Sequence, residues 1–217
     1  MVIRFVFVGE GPSDTPLVDH LEALCLRYGA RQVKPFFPDL RRIPLPNRTI
    51  ETKIRAALTL APNADIVFVH RDADSREAMP RRAEIENAAS EVGSEKPCVP
   101  VVPVQETEAW LLLDEESIRS IAGKPSGRSP LEIPSPARVE SIAKPKEKLM
   151  EMLAIASELS GRKLKRFKKR FPDHRRLLID RLDIDGLISQ VPAWQQLCKD
   201  IESTLATMRD VRKNTSN

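Results

Sequence analysis

An open α/β fold, a mostly parallel sheet flanked by helices and followed by a mainly helical C-terminal region, is the architecture this sequence predicts. Three observations carry the expectation. Over residues 1 to about 115, short apolar runs rich in β-branched and aromatic residues alternate with helically spaced segments, the order that gives parallel strands with crossover helices. The runs are nearly continuous instead of polar–apolar alternating, as strands covered on both faces require. Past residue 123 the strand pattern stops and helical spacing takes over.

Taken in order, residues 3–8 form the first strand, closed by Gly9. Residues 9–14 (Gly-Glu-Gly-Pro-Ser-Asp) read as a turn, and Thr15-Pro16 opens a helix with Pro16 suited to its first position. Leu17, Leu21, Leu24 and Tyr28 share one face of that helix until Gly29 ends it. Residues 33–37 give a second strand, and residues 49–60 a helix stopped by Pro62. Residues 65–70 repeat the first pattern, a buried strand that stops in Arg71-Asp72-Ala73-Asp74-Ser75, and residues 80–92 make a charged helix. Residues 99–104 are the last strand, where Pro100 and Pro103 indicate an edge or a bulge. A short helix is expected over residues 105–113. Prolines, glycines and serines over residues 123–137 read as a loop or linker. Helical spacing then runs from 145 to about 208, with breaks at Pro172 and Pro192, before a polar tail at 213–217. The expected organisation is an α/β catalytic domain at 1–122, a linker at 123–140 and a basic helical region at 141–212.

A chain of 217 residues buries a core without help from disulfides or a structural metal. With 41% hydrophobic and 30% charged residues it is neither a membrane bundle nor a disordered chain. No apolar run approaches the roughly 20 residues that span a bilayer, and residues 1–5 are not followed by the apolar segment and cleavage site of a signal peptide. Cys25, Cys98 and Cys198 are odd in number and far apart, which points to a reducing compartment and no thiolate zinc site. A cytoplasmic location is expected.

The net charge of +4 is unevenly placed: residues 161–176 hold nine Lys or Arg against one acid, Asp173. Such a block repels itself unless an anion lies nearby, and nucleic-acid phosphates are the commonest partner. Arg162, Lys163, Lys165, Arg166, Lys168, Lys169 and Arg170 are therefore expected to contact DNA or RNA, the alternative being a solvated helical face. Phe167 and Phe171, one turn apart, are expected to pin this segment to the core.

Ligands of open parallel sheets bind outside the carboxyl ends of the strands, and three strands release acids there: Glu10 with Asp14, then Asp72 with Asp74, then Glu106 with Glu108. Two carboxylates about 4 Å apart repel by about 4 kcal/mol at an effective dielectric near 20. A cluster of them either protonates or holds a cation. Hard oxygen ligands suit Mg²⁺ or Mn²⁺, not zinc, and magnesium completes its shell with water and substrate phosphate. In an extended strand end Asp72 and Asp74 project to one side, while the glycines around Glu10 allow close backbone approach. The bland reading of each acid is a turn former or helix cap. His70, Trp110 and Trp194 are expected to be structural.

Val8-Gly9-Glu10-Gly11-x-x-Asp14 after a first strand, with Asp72-x-Asp74 after a later one, resembles the TOPRIM domain of topoisomerases, primases and OLD-family nucleases. The segment Glu106-Thr107-Glu108-Ala109-Trp110-Leu111 is similar to one in a bacterial family of TOPRIM-like proteins of unknown function. The resemblance implies a metal-binding α/β domain with Glu10 as ligand or general acid/base, and Asp72 and Asp74 as metal ligands. It adds Asp14 as a further ligand and Glu106 or Glu108 to complete the site, with Arg71, Arg76 and Lys53 as unranked candidates for an auxiliary basic residue. The implied activity is Mg²⁺- or Mn²⁺-dependent phosphodiester hydrolysis of DNA or RNA, in the setting of bacterial defence. Two alternatives stand beside it: phosphoryl transfer on a nucleotide or small phosphoester, and a non-catalytic module that binds a partner ATPase, another defence protein or nucleic acid.

Overall fold

The computed structural model describes residues 1–214. Four strands, β1 (Val2–Val8), β2 (Gln32–Phe36), β3 (Ile66–His70) and β4 (Cys98–Val101), form one sheet of order β2-β1-β3-β4. Every pairing is parallel, with Val8 opposite Val69 and Val69 opposite Pro100. The α/β architecture and the helical C-terminal region are as the sequence predicts. The two strands that carry proline, β2 with Pro35 and β4 with Pro100, are the two edges, where a missing N–H leaves no ladder bond unmade.

Ten helices accompany the sheet among the described residues: α1 (Leu17–Arg27), α2 (Ile50–Leu60), α3 (Met79–Val92), α4 (Glu108–Leu111), α5 (Glu115–Ile121), α6 (Pro136–Val139), α7 (Pro145–Ser157), α8 (Gly161–Lys169), α9 (Phe171–Asp180) and α10 (Pro192–Asn214). Gly29, at φ +99°, ends α1, a left-handed position that costs glycine little. Thr49 caps α2 by accepting from the Thr52 N–H, satisfying one of the orphan donors of the first turn.

The chain divides into two compact units. The first comprises Met1–Arg71, Met79–Val102 and the chain from Gln195 on. Its core lies around β1 and β3, whose Phe5 and Phe68 meet edge to face at 4.9 Å. Each such fully buried side chain contributes about 1.5–3 kcal/mol of transfer free energy. The second unit comprises Asp72–Ala78 and Pro103–Trp194. In it Trp110 and Trp194 cross edge to face at 5.0 Å, each 1% exposed, which gives both tryptophans the core role expected of them. Residues 123–140 lie inside this unit. Among the described residues no helix is long and apolar enough to cross a membrane.

Candidate functional site

In the first unit the strand order reverses between β1 and β3, so the loops after these strands stand at the switch point where open α/β sheets place ligands. The offset that sets Val8 beside Val69 continues past the strand ends to Glu10 and Arg71. There the Arg71 Nε donates to Glu10 Oε1 at 2.8 Å. Beneath the loop, buried Asp14 accepts from the N–H groups of Glu10 and Gly11 at 2.9 and 3.1 Å through Oδ2. The same oxygen lies 3.3 Å from Nδ1 of His70, itself 1% exposed. A Cβ on Gly9 would come within 3.1 Å of the Phe7 ring and 3.2 Å of Asp14 Oδ2. The smallness of Gly9 therefore makes room for Asp14. Asp14 fixes the loop, the turn-forming role of the bland reading, and does not cap α1, whose N-cap is Pro16.

A cleft of about 340 Å³ opens at this loop, lined among others by Glu10, Gly11, Phe37, Pro38, Leu40, Arg41, Arg48 and Lys53. Asp39 engages Arg41 through both carboxylate oxygens. Lys53 is half-buried in the first turn of α2. Burial, then the neighbouring Arg71 and Arg48 charges, push its ammonium pKa below the ordinary 10.5, opposed in part by Glu10 and Asp14.

In the second unit the other predicted acids lie on two stitched segments. Ala73 and Asp74 donate backbone bonds to Pro103 and Gln105, and Gln105 returns one to Ser75. Asp72 Oδ1 accepts from both the N–H and the hydroxyl of Thr107, at 2.9 and 2.8 Å. Asp74 and Gln105 both adopt the left-handed region, at φ +54° and +61°. Alternation with period two therefore breaks at Asp74, correcting the expectation that it projects beside Asp72. Left-handed non-glycine residues cost about 1–3 kcal/mol and concentrate at functional sites. A second, smaller cleft of about 220 Å³ is lined by Asp74, Gln105, Glu106 and residues 143–147.

Glu106 and Glu108 have distinct positions. Glu106 Oε2 accepts from the Lys146 N–H at 3.1 Å, in the first turn of α7, where a carboxylate suits the helix dipole. Glu108, 4% exposed, meets Arg175 of α9 at 3.0 Å. Burial raises its carboxyl pKa, Arg175 opposes that, and Asp72 and Glu106 add to the rise.

A family model described as a domain of unknown function, DUF4276, matches residues 10–202. The chain belongs to this family. No curated protein and no solved structure matches it.

The DUF4276 match begins at Glu10 and takes in every acid discussed above, together with α8. Among the described residues no group of three or more His, Cys, Asp or Glu side chains could hold a metal ion. The acids thus do not form a preformed cage: Glu10, Asp72, Glu106 and Glu108 are each held by protein donors. Magnesium asks for less, one or two carboxylates completed by water and substrate phosphate. Of these acids Glu10 and Asp74 are the exposed ones.

In α8 of this DUF4276 chain no residue is buried. Arg162, Lys163, Lys165, Arg166, Lys168 and Lys169 are exposed, as is Arg170 just after the helix, and only Leu164 and Phe167 are half-covered. Phe167 stacks on His174 of α9 at 4.2 Å and Phe171 is buried, the anchoring expected of the two phenylalanines. The thiols are passive: burial pushes Cys25 and Cys98 up to about 12 and also raises Cys198. Sequence reasoning missed Arg48 and the Arg175 partner of Glu108. A cation beside a helix N-terminus is against the dipole rule, and that anomaly was the available signal for Arg48.

Proposed function

We propose that the chain hydrolyses phosphodiester bonds of DNA or RNA in a reaction that needs Mg²⁺ or Mn²⁺, as a TOPRIM-like nuclease acting in bacterial defence. The observation that carries the reading is the release of Glu10 and Arg71 at the switch point of a parallel sheet, beside a cleft rich in cations. Glu10, Asp72 and Asp74 are the carboxylates it assigns to the reaction, and the exposed α8 face holds the backbone through phosphates with little sequence preference. A bound divalent cation supplies charge neutralisation at the phosphate and a more acidic water. Arg71 screens Glu10 from the incoming phosphate, and Thr107 orients Asp72 through two hydrogen bonds.

The test is a cleavage screen over single- and double-stranded DNA and RNA with each metal. Asp72→Ala with Asp74→Ala is expected to lower the cleavage rate at least 100-fold while binding changes less than threefold. Cleavage that persists in the double variant removes the assignment. The engaged carboxylates favour a second reading, a non-catalytic module for nucleic acid or a partner ATPase, which predicts binding without turnover on any of these substrates or on nucleotides.

A further inference from the structure

The cations of the first unit are unequally matched. Arg41 is bound by Asp39, and Arg71 by Glu10. Among the described residues, no carboxylate comes within ion-pair distance of Arg48 or Lys53: Arg48 makes one long bond, 3.4 Å, to the Arg41 carbonyl. Both line the same cleft, so its two acids are each neutralised and its surplus charge is positive. The placement is also unfavourable for the protein alone. Arg48 precedes the cap of α2 and Lys53 lies in its first turn, where the positive end of the helix dipole repels cations. Burial and the Arg48 and Arg71 charges weaken the hold of Lys53 on its proton. Two cations without an ion-pair partner in one cleft are a recognition device for an anion.

The rest of the lining narrows the anion. Phe37, Pro38, Leu40 and Pro12 line the same cleft, with Phe37 held edge to face on Phe7 at 5.2 Å. An apolar lining with a ring, in one cleft with two cations, fits a flat base and sugar joined to a phosphate. The volume of about 340 Å³ lies at the low end of small-ligand pockets, roughly 300–1,000 Å³. It admits one nucleotide unit, not a run of chain.

We propose that this cleft binds a nucleoside monophosphate unit, with Arg48 and Lys53 on the phosphate and Phe37 against the base. The unit comes either as a free nucleotide or as the phosphorylated end of a strand. The proposal deepens the phosphodiester reading by naming the unit held next to Glu10, and it concerns binding alone, so it is tested without turnover.

Equilibrium binding is measured in EDTA with four probes: a nucleoside, the corresponding 5′-monophosphate, and a tetranucleotide with a 5′-phosphate or a 5′-hydroxyl. The phosphorylated probes are expected to bind at least tenfold tighter than their unphosphorylated counterparts. Arg48→Gln with Lys53→Gln should remove that preference. The double variant should melt no lower than the parent, because it relieves repulsion at the α2 N-terminus, so lost binding cannot be ascribed to unfolding. Preference confined to the free monophosphate assigns the cleft to nucleotides; preference shared by or confined to the phosphorylated tetranucleotide assigns it to strand ends. Equal binding of phosphorylated and unphosphorylated probes, or a preference that survives the double variant, overturns the proposal. Because no cleavage is read, failure here leaves the Asp72/Asp74 result standing, and the reverse holds.

Discussion

Glu108 and Arg175 set opposite charges 3.0 Å apart with side chains only 5% and 12% exposed. The glutamate was legible as a candidate because it follows a strand end in company with Glu106, but its partner lies 67 residues further on inside what reads as a nucleic-acid-binding block. No local pattern signals such a pairing. Asp74 was legible as an acid in the right place, yet its left-handed backbone was not: Asp is enriched in that region without being confined to it. Removing one partner of a buried pair leaves the other desolvated, at a cost of about 3–5 kcal/mol. Glu108→Ala is therefore expected to lower the melting temperature by about 10 °C, at about 2–4 °C per kcal/mol for a chain of this size. Glu108→Gln, which keeps the shape and an acceptor, should lose less than half as much. Equal, small losses for both variants in thermal melts would show that the pair is not holding α4 to α9.

The elements that sequence made plain are those with long, strongly patterned runs or firm punctuation. β1 and β3 announce themselves by nearly continuous apolar residues, β4 as an edge or bulge by Pro100 and Pro103, and α2 by the Pro62 that stops it. The four-residue helix α6 completes barely one turn and carries too little periodicity to be read, whereas α4 lies within the short helix expected over residues 105–113. α8 was legible as a basic helix, and the structure leaves its cations in solvent while Leu164 and Phe167 form the covered side. Whether that face meets phosphate is a question for salt dependence. Each phosphate neutralised contributes about 0.9 to the slope of log K against log salt on B-DNA and about 0.7 on single strands. Reversing Lys165, Arg166, Lys168 and Lys169 to Glu is expected to reduce that slope by about 3 and to weaken binding at low salt, with Leu164 and Phe167 left to keep the helix in place. A slope that does not move assigns the face to solvent.

At the scale of the whole molecule, the sequence showed which acids leave which strands, because that depends on local pattern and on the rule for parallel sheets. It did not show that the chain forms two compact units, with Asp72–Ala78 belonging to the second, because that depends on contacts far apart in sequence. Nor did it show that most of these acids have their own protein donors. The same long-range packing sets how stability responds to pH. Burial, and then Arg170, lower the His174 pKa from its ordinary 6.5, with Asp173 opposing. The unfolded chain thus takes up this proton before the folded one does. Stability attributable to His174 is present above pH 6.5 and is lost as pH falls through that value towards the lowered folded pKa. Glu108 and Glu140 act in the other sense. Burial raises both above 4.5, so the folded state takes up their protons first, and their contribution grows as pH falls towards 4.5. The melting temperature is accordingly expected to hold above pH 6.5 and to fall below it, the carboxyl contribution offsetting the histidine as pH nears 4.5. His174→Phe keeps a ring stacked on Phe167 and removes the titration, so its profile should be flatter below pH 6.5, a difference readable at about 2–4 °C per kcal/mol. Parallel profiles for the two proteins would mean that protonating His174 does not loosen the packing of α8 on α9, and that the acid sensitivity arises elsewhere in the chain.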